Sequence, residues 1–108
     1  MTLQYVVLTL DLYDGQGNAV TTGTAALVPS AQLKDTTDHM LITVAPVPAV
    51  FHAGGFPAVS LLATDNGSLS PSWTWGITFT GVPGNPAGFS FSLAHATGAA
   101  QYLSSLAP

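Results

Sequence analysis

Between Ser72 and Thr80 the chain places a large apolar residue at every second position: Trp73, Trp75, Ile77 and Phe79 alternate with Thr74, Gly76, Thr78 and Thr80. Side chains of a β-strand point to opposite faces in turn, whereas a helix would scatter these four residues around its axis. The stretch therefore reads as a strand with one apolar face, and its parity puts both indoles on the side that must be covered. The same period of two recurs where Phe89, Phe91 and Leu93 alternate with Ser90 and Ser92, and where Leu8, Leu10 and Leu12 alternate with Thr9, Asp11 and Tyr13. Val59, Leu61 and Ala63 share a face in the run from Phe56 to Thr64. Helical periodicity is nearly absent.

Turn residues separate these runs. Asp14-Gly15-Gln16-Gly17-Asn18 is a turn by composition and leads to a strand from Thr21 to Val28 that Pro29 stops. Residues 30–39 are the most polar stretch and read as a loop. Met40, Ile42 and Val44 outline a further strand, and Pro46 and Pro48 place the next segment at a sheet edge, since proline cannot donate to a ladder. Ala49 to His52 is a short strand, DNGSLSP a loop, GVPGNPAG the long tip of a hairpin, and AAQYLSSLAP a last short strand or a segment lying along the sheet. About seven antiparallel strands, each with one apolar face, need two sheets packed face to face. The expected fold is all-β: a two-sheet antiparallel β-sandwich forming one domain over residues 1–108.

Charge narrows the function. The chain has one Lys or Arg, five Asp and no Glu, a net charge of -4 and only 6% charged residues, where ordinary domains carry about 25%. A nucleic-acid surface needs several cations for its phosphates, and attraction to an anionic membrane needs them too. The opening MTLQYVVLTLDLYD has no basic n-region, and Asp11 interrupts its apolar run, so neither a signal peptide nor a membrane span is expected. There is no cysteine, which removes disulfides, thiol catalysis and Cys-ligated metals. The surface must be built from Thr, Ser, Gly, Ala and Pro, which suits a protein whose flanks are covered by neighbours.

Candidate chemistry is sparse. Asp35, Asp38 and His39 cluster in KDTTDH, but their spacing matches no calcium loop, and a solvated turn accounts for them. His39, His52 and His95 follow no zinc spacing. No GxSxG elbow is present, Gly15-x-Gly17 lacks the helix and lysine of a phosphate loop, and Asn66-Gly67-Ser68 is a turn pair as much as a glycosylation sequon. We therefore expect no enzymatic activity and no cofactor or metal. The aromatic residues remain. Trp73, Trp75, Tyr5, Tyr13 and Tyr102 could line a sugar-binding face. Parity favours the core for Trp75 and, by less, for Trp73, which stands beside the loop that starts its strand, where the sandwich rim could leave it partly covered. Trp73, Tyr13 and Tyr102 are thus the candidate contacts for a glycan or a partner.

The order of features from Gly55-Phe56 onward also carries a resemblance. Leu62-Ala63-Thr64-Asp65, Leu69-x-Pro71, Trp73-x-Trp75-x-Ile77, Phe89-Ser90-Phe91-Ser92-Leu93 and Leu103-x-x-Leu106-x-Pro108 succeed one another. This series resembles a β-sandwich module of tail-fibre and minor tail proteins of bacteriophages infecting actinobacteria. The opening, Leu10-x-Leu12-x-Asp14-x-x-Gly17-x-Ala19, is similar to that of the same module and of transthyretin-like sandwiches, so the resemblance implies a transthyretin-like or Ig-like sandwich. The chain departs from the pattern in its low charge, in Trp75 as second aromatic, and in its apolar hairpin tip. The resemblance implies a core role for the aromatic strand, no catalytic residues, and one domain of a longer fibre located in the virion and extracellular after release. Its partners would be copies of itself, as in trimeric fibres, adjacent tail proteins, or a host surface glycan.

Overall fold

The computed structural model describes residues 3–35, 39–67 and 69–107. Ten short strands succeed one another among them: β1 (Tyr5–Thr9), β2 (Thr24–Pro29), β3 (Leu33–Asp35), β4 (Met40–Ile42), β5 (Val47–Val50), β6 (Ala58–Leu62), β7 (Leu69–Ser70), β8 (Trp75–Thr80), β9 (Phe89–Phe91) and β10 (Ala100–Tyr102). Single 3-10 turns cover His95–Thr97 and Leu103–Ser105. The strands form a four-stranded sheet in the order β5-β2-β8-β9 and two three-stranded sheets, β10-β1-β6 and β4-β3-β7. The fold is all-β and sandwich-like, drawn out to 47 × 24 × 23 Å.

Alternation builds the core as the sequence implies. Val6 and Leu8 of β1, Leu27 of β2, Leu61 of β6, and Trp75 and Ile77 of β8 are buried together with Leu10, Phe91 and Leu93. Full burial of one such side chain is worth about 1.5–3 kcal/mol, so sheet stacking outweighs the weak intrinsic pairing of strands this short. Leu33 and Leu69 join the same cluster from the third sheet.

Three expectations need correction. Residues 30–39 are not simply a loop, because Leu33–Asp35 is a strand whose Leu33 and Asp35 are buried. Leu69–Ser70, inside the expected DNGSLSP loop, pairs with it antiparallel through Lys34↔Ser70 and Asp35↔Leu69. A third sheet thus accompanies the two expected, and strands of two or three residues are too short to display a period. Nor is every pair antiparallel: β10 runs parallel to β1, in the register Val7↔Ala100, Leu8↔Gln101, Thr9↔Tyr102. Parallel pairing needs a long crossover, and here nearly the whole chain supplies it.

The turns form where expected. Asp14 Oδ1 accepts the backbone N–H groups of Gln16 (2.9 Å) and Asn18 (3.0 Å), and Gly17 supplies the positive φ (82°) that closes the turn. β5 is an edge strand containing Pro48, as the prolines imply. The Ala26↔Pro48 pair stands between Ala25↔Ala49 and Leu27↔Val47. Proline cannot donate, so the hydrogen-bonded pairs are the flanking ones, and Pro48 presents its blank nitrogen to the outside.

The four-stranded sheet meets the β10-β1-β6 sheet at a corner. Trp75 Nε1 donates to the Leu62 carbonyl (2.9 Å), Thr64 N to the Leu93 carbonyl (2.8 Å), and Leu93 N to Thr64 Oγ1 (2.9 Å). One carbonyl on the outer edge of β6 is therefore covered by an indole.

Candidate interaction surface

Both indoles lie in the core. Trp73 is 7% exposed and Trp75 3%, with ring centroids 5.2 Å apart in an edge-to-face arrangement at 62°. Trp73 accordingly lies inside, as its parity with Ile77 and Phe79 implies, and offers no open face for stacking on a glycan. Its neighbour Thr74 is tied to Ser30 by two hydrogen bonds, Thr74 N to Ser30 Oγ (3.0 Å) and Ser30 N to the Thr74 carbonyl (2.9 Å), and these draw the segment before β8 inward. The two rings differ in one respect. Trp75 Nε1 is hydrogen-bonded, while Trp73 Nε1 is buried and finds no acceptor on the protein.

The tyrosines are outside. Tyr13 is 59% exposed and packs edge-to-face on Phe56 (5.2 Å, 70°). Tyr102 is 56% and Tyr5 49% exposed. Strand register puts these last two on one surface. Tyr5, Val7 and Thr9 share the outer face of β1, where Tyr5 pairs with Leu62, Val7 with both Ala100 and Ser60, and Thr9 with both Tyr102 and Ala58. That face carries no Asp, Lys or His. Four residues of rise and one strand spacing separate Tyr5 from Tyr102 by ~14 Å, too far for both rings to stack on a single sugar. Val7 was not legible as a surface residue, because VVL reads as a continuous apolar run.

The polar candidates do not converge. Asp35 is buried, with interaction partners of its own, whereas His39 is exposed with a positive φ of 54°. Asp38 lies outside the described residues. His52 is exposed, its Nδ1 3.0 Å from the Ala53 carbonyl oxygen. Among the described residues no three His, Asp or Glu side chains gather as ligands.

His95 instead belongs to a structural clasp. The Asp65 carboxylate accepts the His95 N–H at Oδ1 (2.9 Å) and the Ala96 N–H at Oδ2 (3.1 Å). The His95 backbone bond, then the Ala96 one, hold the Asp65 carboxyl below its usual range. From the other side Gln101 Nε2 donates to the carbonyls of Ala94 (2.8 Å) and Gly98 (2.9 Å). A second clasp joins the ends of the described chain: Asp11 accepts Ser104 N–H at Oδ1 (3.0 Å) and Ser104 O–H at Oδ2 (2.5 Å).

Among the described residues no helix is long and apolar enough to cross a membrane. No family model, curated protein or solved structure matches the chain.

Proposed function

We propose that the chain is a non-enzymatic structural domain that docks onto a neighbouring protein or its own copies, as a module of a phage tail fibre or tail tip would. The observation that carries the reading is the uncharged outer face of β10-β1-β6, on which Tyr5, Val7 and Tyr102 stand about half exposed. Covering such a face removes apolar area from water and strips hydration from no formal charge, so the desolvation cost that burdens ordinary surfaces does not arise. Tyrosine is among the residue types that concentrate binding energy at interfaces. The resemblance to tail-fibre modules supports the virion as the setting.

The test is a paired substitution, Tyr5→Ser with Tyr102→Ser. Co-sedimentation with the proteins encoded beside this one is expected to be lost while far-UV circular dichroism is unchanged. Retained co-sedimentation refutes the face. A glycan-array signal abolished by Tyr102→Ser, with no protein partner found, would replace docking by host-sugar recognition.

A further inference from the structure

The margin of the four-stranded sheet at β9 is an open edge, and it differs from the edge at β5. Register gives the direction of its backbone groups. Because Leu27↔Val47 is a hydrogen-bonded pair of β2 and β5, Ala26↔Thr78 and Val28↔Gly76 are the bonded pairs of β2 and β8. The next ladder then bonds through Trp75↔Phe91 and Ile77↔Phe89. Ser90, between them, turns its N–H and C=O away from β8, as does Ser92 by the same parity, and no strand lies beyond β9 among the described residues. Pro48 blunts the opposite edge. Between Gly88 and Leu93 there is neither proline nor charge, the two devices that usually keep an edge from pairing.

Two grooves flank this strand. One of about 190 Å³ opens on its core side, with Leu12, Phe79, Phe89 and Leu103 in its wall. Another of about 400 Å³ runs along its outer side past Val28, Gly76, Thr78 and Ser90.

We propose that β9 pairs antiparallel with β9 of a second copy about a two-fold axis at Ser90, making one continuous eight-stranded sheet. The strand is complementary to itself in that register: Ser90 meets Ser90, Phe89 meets Phe91, and the aromatic side stays on the core side in both copies. Charge favours a second copy as the occupant. A chain of net charge -4 repels its own copies least where the contact itself carries no charge, as from Gly88 to Leu93. The carboxylates at either side, Asp65 by Leu93 and Asp11 by Ser104, keep their charge but are turned toward N–H and O–H groups of their own copy. A contact this narrow buries less than the roughly 800 Å² per partner of a standard interface, so the dimer is weak. The inference rests on the docking reading and names one of its contacts, at a site separate from the tyrosine face.

The experiment is sedimentation velocity of the intact chain from micromolar to about 1 mM, a range suited to interfaces below standard size. The wild type is expected to dimerise. Ser90→Lys and Ser90→Asp, each bringing like charges together on the axis, should raise the dissociation constant about tenfold or more, and mixing the two variants should restore the dimer. Ser90→Pro, which copies Pro48, should also be monomeric. The Ser90 amide should gain protection from hydrogen exchange with rising wild-type concentration. Charge variants that dimerise like the wild type overturn the edge but leave self-association standing. A wild type monomeric at 1 mM overturns the pairing, and docking is then decided by the tyrosine variants alone.

Discussion

Trp75→Phe and Trp73→Phe remove the same atoms from two touching rings, yet their costs should differ widely. Each substitution deletes roughly 40 Å³ of indole, whose cavity at about 24 cal/mol per Å³ costs about 1 kcal/mol if the core does not relax, added to the transfer energy of the removed atoms, and this sum is common to both positions. The hydrogen-bonding change has opposite signs at the two positions. Trp75→Phe strands the Leu62 carbonyl, which the indole N–H now covers at 2.9 Å, adding about 1–3 kcal/mol. Trp73→Phe removes a buried donor that has no acceptor on the protein, so it relieves a penalty of about that size. The gap between the variants should be at least about 2 kcal/mol, with Trp73→Phe near neutral. For a domain of this length that corresponds to about 8–16 °C in melting temperature. Urea unfolding followed by far-UV circular dichroism measures it without relying on the altered fluorophores. Equal destabilisation by both substitutions would refute the argument, and with it the assignment of a structural role to the Trp75 hydrogen bond.

Gly23→Ala should destabilise by about 2–4 kcal/mol, because φ is +96° and the new Cβ would stand 2.7 Å from the Gly81 carbonyl carbon and oxygen, backbone atoms that no rotamer change can move. Gly15→Ala, with open space around it and no positive φ, is the control and should be neutral in the same melts. Asp65→Ala should lower the melting temperature at neutral pH, and its difference from wild type should shrink as pH falls. The folded Asp65 carboxyl titrates below the ordinary value of 3.8, so its stabilisation is complete above that value and lost as pH drops through the folded one. A difference constant from pH 7 to 2 would show that the carboxylate is not what holds the His95 turn. Asp11→Ala removes both bonds to Ser104; faster amide exchange over residues 103–107, at about 1–2 kcal/mol of global stability, is the expected result.

The aromatic strand was legible in the sequence because its alternation is long: from Trp73 to Phe79 one register alone covers the apolar side, and a shift of one residue would expose four large side chains. The Asp14–Asn18 turn and the edge character of β5 were legible for the same reason, since Asp, Gly and Pro act through their own backbone. The third sheet was not. Leu33–Asp35 and Leu69–Ser70 hold too few residues to show a period, and Asp35 lies in the core against its own polarity. Of the candidate contacts, exposed Tyr13 could be picked from its place on the Asp11 face, whereas alternation gave Trp73 its inward direction without fixing how fully it is covered. The segment that fixes its neighbour Thr74 lies 44 residues earlier, where Ser30 bonds Thr74, and no local pattern announces such a contact.

Composition and alternation by themselves determined that this chain is all-β, that both tryptophans face inward, and that its surface carries almost no charge, because residue types and their period dictate each of these. Tertiary structure alone decided which face and which edge remain open. The parallel docking of β10 beside β1 brings Tyr102 onto the surface of Tyr5, and the ladder order β5-β2-β8-β9 leaves Ser90 facing outward. Exposure of an edge belongs to the pairing of strands distant in the chain, and no local pattern encodes which strand will come last.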